Sequence, residues 1–124
     1  MSGGRENKVT QEMLRQGDIL LVRVDEDDHD ARMCMKDDWQ VHAEPGEGII
    51  VAAGEVTGHH HRIRGRGVRM YRRNNSSYIR VGRTIQPRQM THEEHQPVTL
   101  EQGTYKVVRQ REYAPRSRPV YVRD

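Results

Sequence analysis

Histidines at two places in this chain have the type and spacing that metal binding requires. Five of the seven histidines are grouped, as His59-His60-His61 and as His92 with His95. Imidazole is the commonest protein ligand for divalent transition metals. Alternate side chains of an extended segment share a face, so His59 and His61 would point together while His60 points away. We expect His59 or His61 to approach His92 or His95 in a site for one zinc, manganese or iron ion.

Two glutamates stand between the histidines of the second group. Glu93 and Glu94 each offer a carboxylate that could bind the metal or act as a general base. The sequence leaves open a site of three histidines and a site of two histidines with one carboxylate. It equally leaves open that the histidines bind no metal, because Thr57-Gly58 is typical of a turn and histidines on exposed turns are often only solvated.

A second feature is a basic, partly aromatic segment. Nine arginines and no acidic residue lie between Arg62 and Arg88. Positive charge attracts phosphates and aromatic rings stack on bases, so we expect a contiguous positive surface for single-stranded nucleic acid such as RNA, or for an acidic protein. The alternative is the ordinary polar outer face of a sheet. The candidate contact residues are Arg62, Arg64, Arg69, Tyr71, Arg72, Arg73 and Tyr78.

Charge is divided unevenly along the chain. Residues 1–50 hold six basic and twelve acidic residues, whereas residues 51–124 hold fifteen basic and six acidic ones. Such polarity favours head-to-tail packing, so a homo-oligomer is one expectation. The acidic run at residues 25–30 is expected to be a solvated loop. It does not match a calcium-binding EF-hand loop, because Asp30 stands where that loop needs glycine.

The elements that would position these groups are predicted to be strands. Only 33% of residues are apolar and phenylalanine is absent, which indicates a thin core. Short runs rich in β-branched residues alternate with Gly, Asn and Pro turn signals. The predicted strands are 17–24, 49–53, 60–63, 68–72, 78–81, 98–100, 104–111 and 120–122, with hairpin turns at 65–67 and 74–76. The predicted core residues are Leu20, Val22, Ile50, Val51, Tyr105 and Val107.

These elements fit one domain, because two domains in 124 residues would each have too small a core. We expect a flexible N-terminal arm over residues 1–16 and a single β domain over residues 17–124, built as a small barrel or sandwich. The single cysteine, Cys34, excludes an intramolecular disulfide. No segment has the pattern of a signal peptide or membrane span, so we expect a cytoplasmic protein, or a virion component, without a membrane partner.

Two short segments resemble known small β folds. The segment Gly54–His61 resembles the first metal motif of the cupins, which implies a jelly roll that holds iron, manganese or zinc. The glutamate expected after those histidines is absent, since residues 64–66 are Arg-Gly-Arg. The segments Gly17–Val24 and Gly48–Gly54 are similar in strand rhythm to the co-chaperonins, which implies a related small β architecture and no shared function.

A longer resemblance covers Gly48–Tyr113. This region looks like a group of small uncharacterised bacterial and phage proteins, and the matching segments are Gly54–His61, His92–Val98 and Arg109–Tyr113. The resemblance implies kinship with proteins that have no settled activity. It marks both histidine groups and the Arg109–Tyr113 segment as places where function should be sought.

Three functional hypotheses follow. The first is a binding or assembly module of bacterial or phage origin that holds a divalent metal through its histidines and meets an acidic partner through its arginines. The second is a metal-dependent enzyme, a hydrolase or cupin-like, with Glu93 or Glu94 as the base. The third is a virion or complex component with no chemistry. Phosphate-binding loops, nucleophile elbows and dinucleotide fingerprints do not occur in the sequence.

Overall fold

A computed structural model describes residues 12–54, 58–83 and 86–110 of the chain. These residues form ten strands, one short helix and one 3-10 turn. The strands are β1 (Met13–Gln16), β2 (Ile19–Val24), β3 (Gln40–Val41), β4 (Ile49–Ala53), β5 (His60–Ile63), β6 (Val68–Arg73), β7 (Ser76–Val81), β8 (Arg88–His92), β9 (His95–Leu100) and β10 (Gly103–Arg109). The helix α1 is His29–Cys34, and the 3-10 turn is Asp37–Trp39.

The strands pair into two antiparallel sheets. The six-stranded sheet has the order β1-β2-β10-β7-β6-β3, and the four-stranded sheet has the order β4-β5-β8-β9. The prediction of a mainly β domain is therefore confirmed. Within the described ranges the arrangement is that of a small sandwich, and no closed barrel forms there.

The core lies between the two sheets and is built from alternate residues of their strands. Its buried members are Ile19, Leu21, Ile49, Val51, Ile63, Val68, Met70, Ile79, Val81, Met90, Leu100 and Tyr105. The predicted core residues Val51 and Tyr105 are confirmed. The others, Leu20, Val22, Ile50 and Val107, are only partly buried.

The error in β2 is an offset of one residue, whereas in β4 Val51 is correct and Ile50 was chosen in place of the buried Ile49. Ile19 and Leu21 face the core in β2, and Ile49 faces it in β4. Because successive side chains point to opposite faces, a shift of one residue exchanges the buried and exposed sets. The runs Ile19–Val22 and Ile49–Val51 are apolar at every position, so their pattern did not show which set is buried.

Helix α1 covers part of the outer face of the six-stranded sheet. Asp28 caps it, since its carboxylate accepts the Ala31 backbone N–H at 3.0 Å. Ala31 and Cys34 pack on the rings of Tyr71 and Tyr78, which form a second buried cluster. No helix in the described part of the chain is long and apolar enough to cross a membrane.

Several predicted boundaries need correction. The acidic run at 25–30 is not a loop throughout, because its second half supplies the cap and first turn of α1. Residues 13–16, predicted as part of the flexible arm, form β1 and pair with β2. The 65–67 turn does not close a hairpin but leads from the four-stranded sheet to the six-stranded one.

The other predicted hairpin is confirmed. β6 and β7 are joined by Asn74-Asn75, with Arg73 paired to Ser76 and Asn74 in the left-handed region at a φ of 55°. Strands β3 and β8 were not predicted, because neither carries a clear apolar alternation. The predicted strand at 120–122 lies outside the described residues.

Candidate metal centre

The fold brings the two histidine groups together. Strand β5 pairs with β8, and the β8–β9 hairpin turns between His92 and His95. The ring centroids of His61 and His92 are 4.4 Å apart, and those of His92 and His95 are 4.7 Å apart. His59 lies 5.9 Å from His92, and His61 lies 6.2 Å from His95. The predicted approach of the two groups is confirmed.

These separations suit imidazoles that share one ion. With a metal–nitrogen bond of about 2.1 Å, the centroids of two rings on one ion are roughly 5.3 Å apart at a tetrahedral angle and roughly 6.5 Å apart on opposite sides of the ion. The His61–His92 and His92–His95 separations lie within the tetrahedral value, whereas the 5.9 Å and 6.2 Å separations require a wider angle at the metal. The ligand atoms of His92, Glu94 and His95 lie within 4.8 Å of one another, so a carboxylate accompanies the rings.

His61 is the buried member of the group, with 1% of its surface exposed. Its Nδ1 lies 2.8 Å from Oε1 of the equally buried Gln16. The Gln16 amide nitrogen donates to the carbonyls of Met90 and Gln96, both at 2.9 Å. The Gln16 oxygen must therefore accept, so in the neutral ring Nδ1 of His61 carries the proton and Nε2 has the lone pair.

An aspartate faces that lone pair. Asp18 Oδ1 lies 3.5 Å from His61 Nε2, and Asp18 Oδ2 lies 3.5 Å from the guanidinium of Arg109. Arg109 also donates to the Ala53 carbonyl at 2.6 Å, which ties the end of β10 to β4. The Asp18 carboxylate therefore pairs with Arg109 through one oxygen and lies against His61 with the other.

The site favours uncharged imidazoles. Burial lowers the pKa of His61 to about 4, and the positive charge that His92, His95 and Arg109 can carry adds to this effect, against the opposing influence of Asp18. Burial, followed by the neighbouring His95, also lowers the pKa of His92. Neutral rings keep lone pairs available at neutral pH, as metal coordination requires.

The His92 and His59 rings differ in how readily they could coordinate a metal ion. His92 Nδ1 accepts the Glu94 backbone N–H at 2.9 Å, so its neutral form carries the proton on Nε2, and coordination by His92 requires that hydrogen bond to be released. His59 Nδ1 lies 3.1 Å from Glu94 Oε2 in an orientation that makes no hydrogen bond. A buried polar atom without a hydrogen bond is uncommon, and a cation between ring and carboxylate would satisfy both.

Two glycines make room for the rings. A β-carbon on Gly54 would lie 2.6 Å from His92 Nε2, and one on Gly17 would lie 2.7 Å from His95 Nε2. Gly17 also has a φ of +61°, which side-chain-bearing residues rarely adopt. Any larger residue at either position would push an imidazole out of the group.

The two glutamates of the hairpin have different surroundings. Glu93 accepts the His60 backbone N–H at 3.0 Å and pairs with Arg62 at 3.4 Å. Its own backbone N–H, and then that of His60, lower its pKa. Glu93 thus ties β5 to the hairpin. Glu94 instead lies beside His59, which makes it the better placed of the two predicted carboxylates.

The arginines of the basic segment are divided between the two sheets. Arg62 on the four-stranded sheet pairs with Glu47 and Glu93. Arg64 and Arg88 line a shallow hollow of about 590 Å³ on that sheet, together with Gln89, Thr91 and Thr99. These contacts separate this group from the arginines of β6.

The β6 arginines make contacts of their own. Arg72 donates to the Val51 carbonyl at 3.2 Å, and Arg73 lies over the Trp39 ring at 5.5 Å. Arg69 is exposed and lies opposite Arg80 of the neighbouring strand β7. Tyr71 and Tyr78, which were predicted to stack on bases, are only 7% and 1% exposed and lie beneath α1.

Sequence reasoning missed two residues that contact His61. Gln16 was assigned to the N-terminal arm, and Asp18 was assigned only to the predicted strand 17–24. Both lie at the β1–β2 turn. The Gln110 backbone N–H donates to the Asp18 carbonyl at 2.7 Å, which joins this turn to the end of β10. The hydrogen bonds of Gln16 to the Met90 and Gln96 carbonyls hold this turn against β8 and β9, which carry His92 and His95. Arg109 was marked by resemblance, whereas Arg111–Tyr113 lie outside the described residues.

Comparison with models of known protein families identifies the family of this chain. The family model of the DUF8820 domain of unknown function matches residues 15–110. The chain belongs to this family. The match spans all ten strands except the first residues of β1, and it includes every histidine of the site. No curated protein and no solved structure matches the chain.

Proposed function

We propose that this protein is a β-sandwich module that binds one divalent transition metal ion through its clustered histidines. The observation that carries the proposal is a cluster of four imidazoles, from β5, the segment before it and the β8–β9 hairpin, in which the ligand atoms of His92, Glu94 and His95 lie within 4.8 Å of one another and the His61 ring lies 4.4 Å from that of His92. Of these rings, His61 has its tautomer set by Gln16, an outer contact typical of metal-ligating histidines.

The donor set indicates which metals fit. Imidazole nitrogens with a carboxylate oxygen suit zinc, manganese and iron(II), whereas soft copper(I) prefers sulfur ligands. Glu94 supplies the carboxylate next to His59, at 3.1 Å from ring to oxygen. The lowered pKa values of His61 and His92 keep these rings free of competing protons at neutral pH.

The experiment is a zinc titration of untagged protein against a chromogenic chelator. We expect one ion per chain in the wild type and at least about tenfold weaker binding in His95→Ala. The matched control is His60→Ala, because His60 lies on the same strand as His61 but its ring contacts Arg62 rather than the cluster. Equal affinity in all three proteins, or no zinc binding by the wild type, would contradict the proposal.

A further inference from the structure

The contact between His61 and Asp18 places a nitrogen lone pair opposite a carboxylate. Because Gln16 holds the proton on His61 Nδ1, the Nε2 atom of the neutral ring faces Asp18 Oδ1 as an acceptor facing an acceptor, at 3.5 Å. Two acceptors in this arrangement repel each other unless a positively charged group lies between them. Arg109 does not fill that place, since it approaches the other oxygen, Oδ2.

The distance between these atoms matches an edge of a coordination polyhedron. With bonds of about 2.1 Å to nitrogen and oxygen, two ligand atoms of a tetrahedral zinc ion lie roughly 3.4 Å apart. The His61 Nε2 to Asp18 Oδ1 distance of 3.5 Å is close to this value. Both side chains are also oriented from behind, His61 by Gln16 and Asp18 by Arg109, as the ligands of protein metal sites commonly are.

We infer that Asp18 is a further ligand of the divalent ion, forming one edge of its coordination sphere with His61, and that Gln16 is the residue that positions His61 Nε2 toward it. The inference rests on the proposed function, since it concerns the same ion. It adds a carboxylate from the β1–β2 turn to a histidine from β5. The ion then joins both sheets of the sandwich, because β1 and β2 belong to the six-stranded sheet and β5 to the four-stranded one.

The alternative is that a proton on Nε2, rather than a metal, satisfies this contact. In that case Asp18 and His61 form an ordinary ion pair, and metal affinity does not depend on the aspartate charge. The two possibilities predict different effects of Asp18→Asn, the neutral isostere, on metal binding.

The test is a cobalt and zinc titration of untagged wild type, Asp18→Asn and Gln16→Leu, with Asp37→Asn as the control at an exposed aspartate in the 3-10 turn. We expect Asp18→Asn and Gln16→Leu each to weaken zinc binding by about 10- to 100-fold and to change the visible spectrum of bound cobalt. The control should bind as the wild type does. Nitrogen-15 NMR should show His61 protonated at Nδ1 in the wild type and not held there in Gln16→Leu.

The outcomes separate the two proposals. If the wild type binds no metal, the proposed function fails. If the wild type binds metal and Asp18→Asn binds it equally well with an unchanged cobalt spectrum, the role of Asp18 is wrong although the metal site stands. Should Asp18→Asn fail to fold, wild-type protein labelled with ¹³C-aspartate still shows whether Asp18 binds the metal. Zinc must then shift the Asp18 carboxyl resonance, and an unshifted resonance overturns the inference.

Discussion

Acid should destabilise the metal-free protein through His61. Burial holds the folded pKa of this ring at about 4, against an ordinary value of 6.5. The unfolded chain therefore binds a proton more readily than the folded one between these pH values, and stability falls as pH falls. The stabilisation is fully present above pH 6.5 and is lost progressively down to pH 4. At about 1.4 kcal/mol per pH unit, the loss is on the order of 3 kcal/mol.

The measurement is urea unfolding in the presence of chelator, at a series of pH values from 7 to 4, for wild type and His61→Gln. Carboxylates also titrate in this interval, so the quantity that matters is the difference between the two proteins. We expect the wild type to lose on the order of 3 kcal/mol more than the variant. The control is His42→Gln, at an exposed histidine remote in sequence from the cluster, which should follow the wild type. Parallel pH curves for wild type and His61→Gln would refute the reasoning.

Three further predictions concern the fold and the site. Leu21→Ala should lower the free energy of unfolding by about 2–5 kcal/mol, because Leu21 is fully buried. Leu20→Ala, one residue away on the same strand but only partly buried, should lower it clearly less. Equal losses in urea unfolding would contradict the assignment of Leu21 to the buried face of β2. Asp28→Ala should cost about 1 kcal/mol because α1 loses its cap, with the exposed Asp27→Ala as the neutral control. Gly54→Ala should weaken zinc binding, since the added methyl group displaces the His92 ring. Gly82→Ala is the comparison, because a β-carbon there would meet no atom closer than 3.5 Å and the backbone does not have a positive φ. Unchanged affinity in Gly54→Ala would show that the position of the His92 ring does not affect zinc binding.

The fold class could be predicted because β-branched runs between turn signals identify strands wherever they occur. Which face of a strand is buried could not be read from β2 and β4, since Ile19–Val22 and Ile49–Val51 are apolar throughout. The burial of Tyr71 and Tyr78 could not be predicted for a related reason. These residues are cross-strand partners on one face of the β6–β7 pair, and the sequence does not show that α1 covers that face.

The candidate site was predictable in part. The alternation of His59 and His61 follows from strand geometry, and the approach to His92 and His95 needed only that β5 lie beside β8. The contributions of Gln16 and Asp18 depend on the β1–β2 turn packing against β8 and β9, where Gln16 donates to carbonyls 74 and 80 residues further along the chain. Local sequence carries no signal for such a contact, so these two residues could be assigned only from the three-dimensional arrangement.

The central claim is that the clustered histidines hold one divalent ion. The most direct test is an anomalous difference map from crystals of untagged, zinc-loaded protein, recorded at the zinc absorption edge. We expect a single strong peak within about 2.1 Å of His61 Nε2 and of at least one further imidazole of the cluster. A map with no peak among His59, His61, His92 and His95, or with zinc bound only at exposed side chains elsewhere, would contradict it.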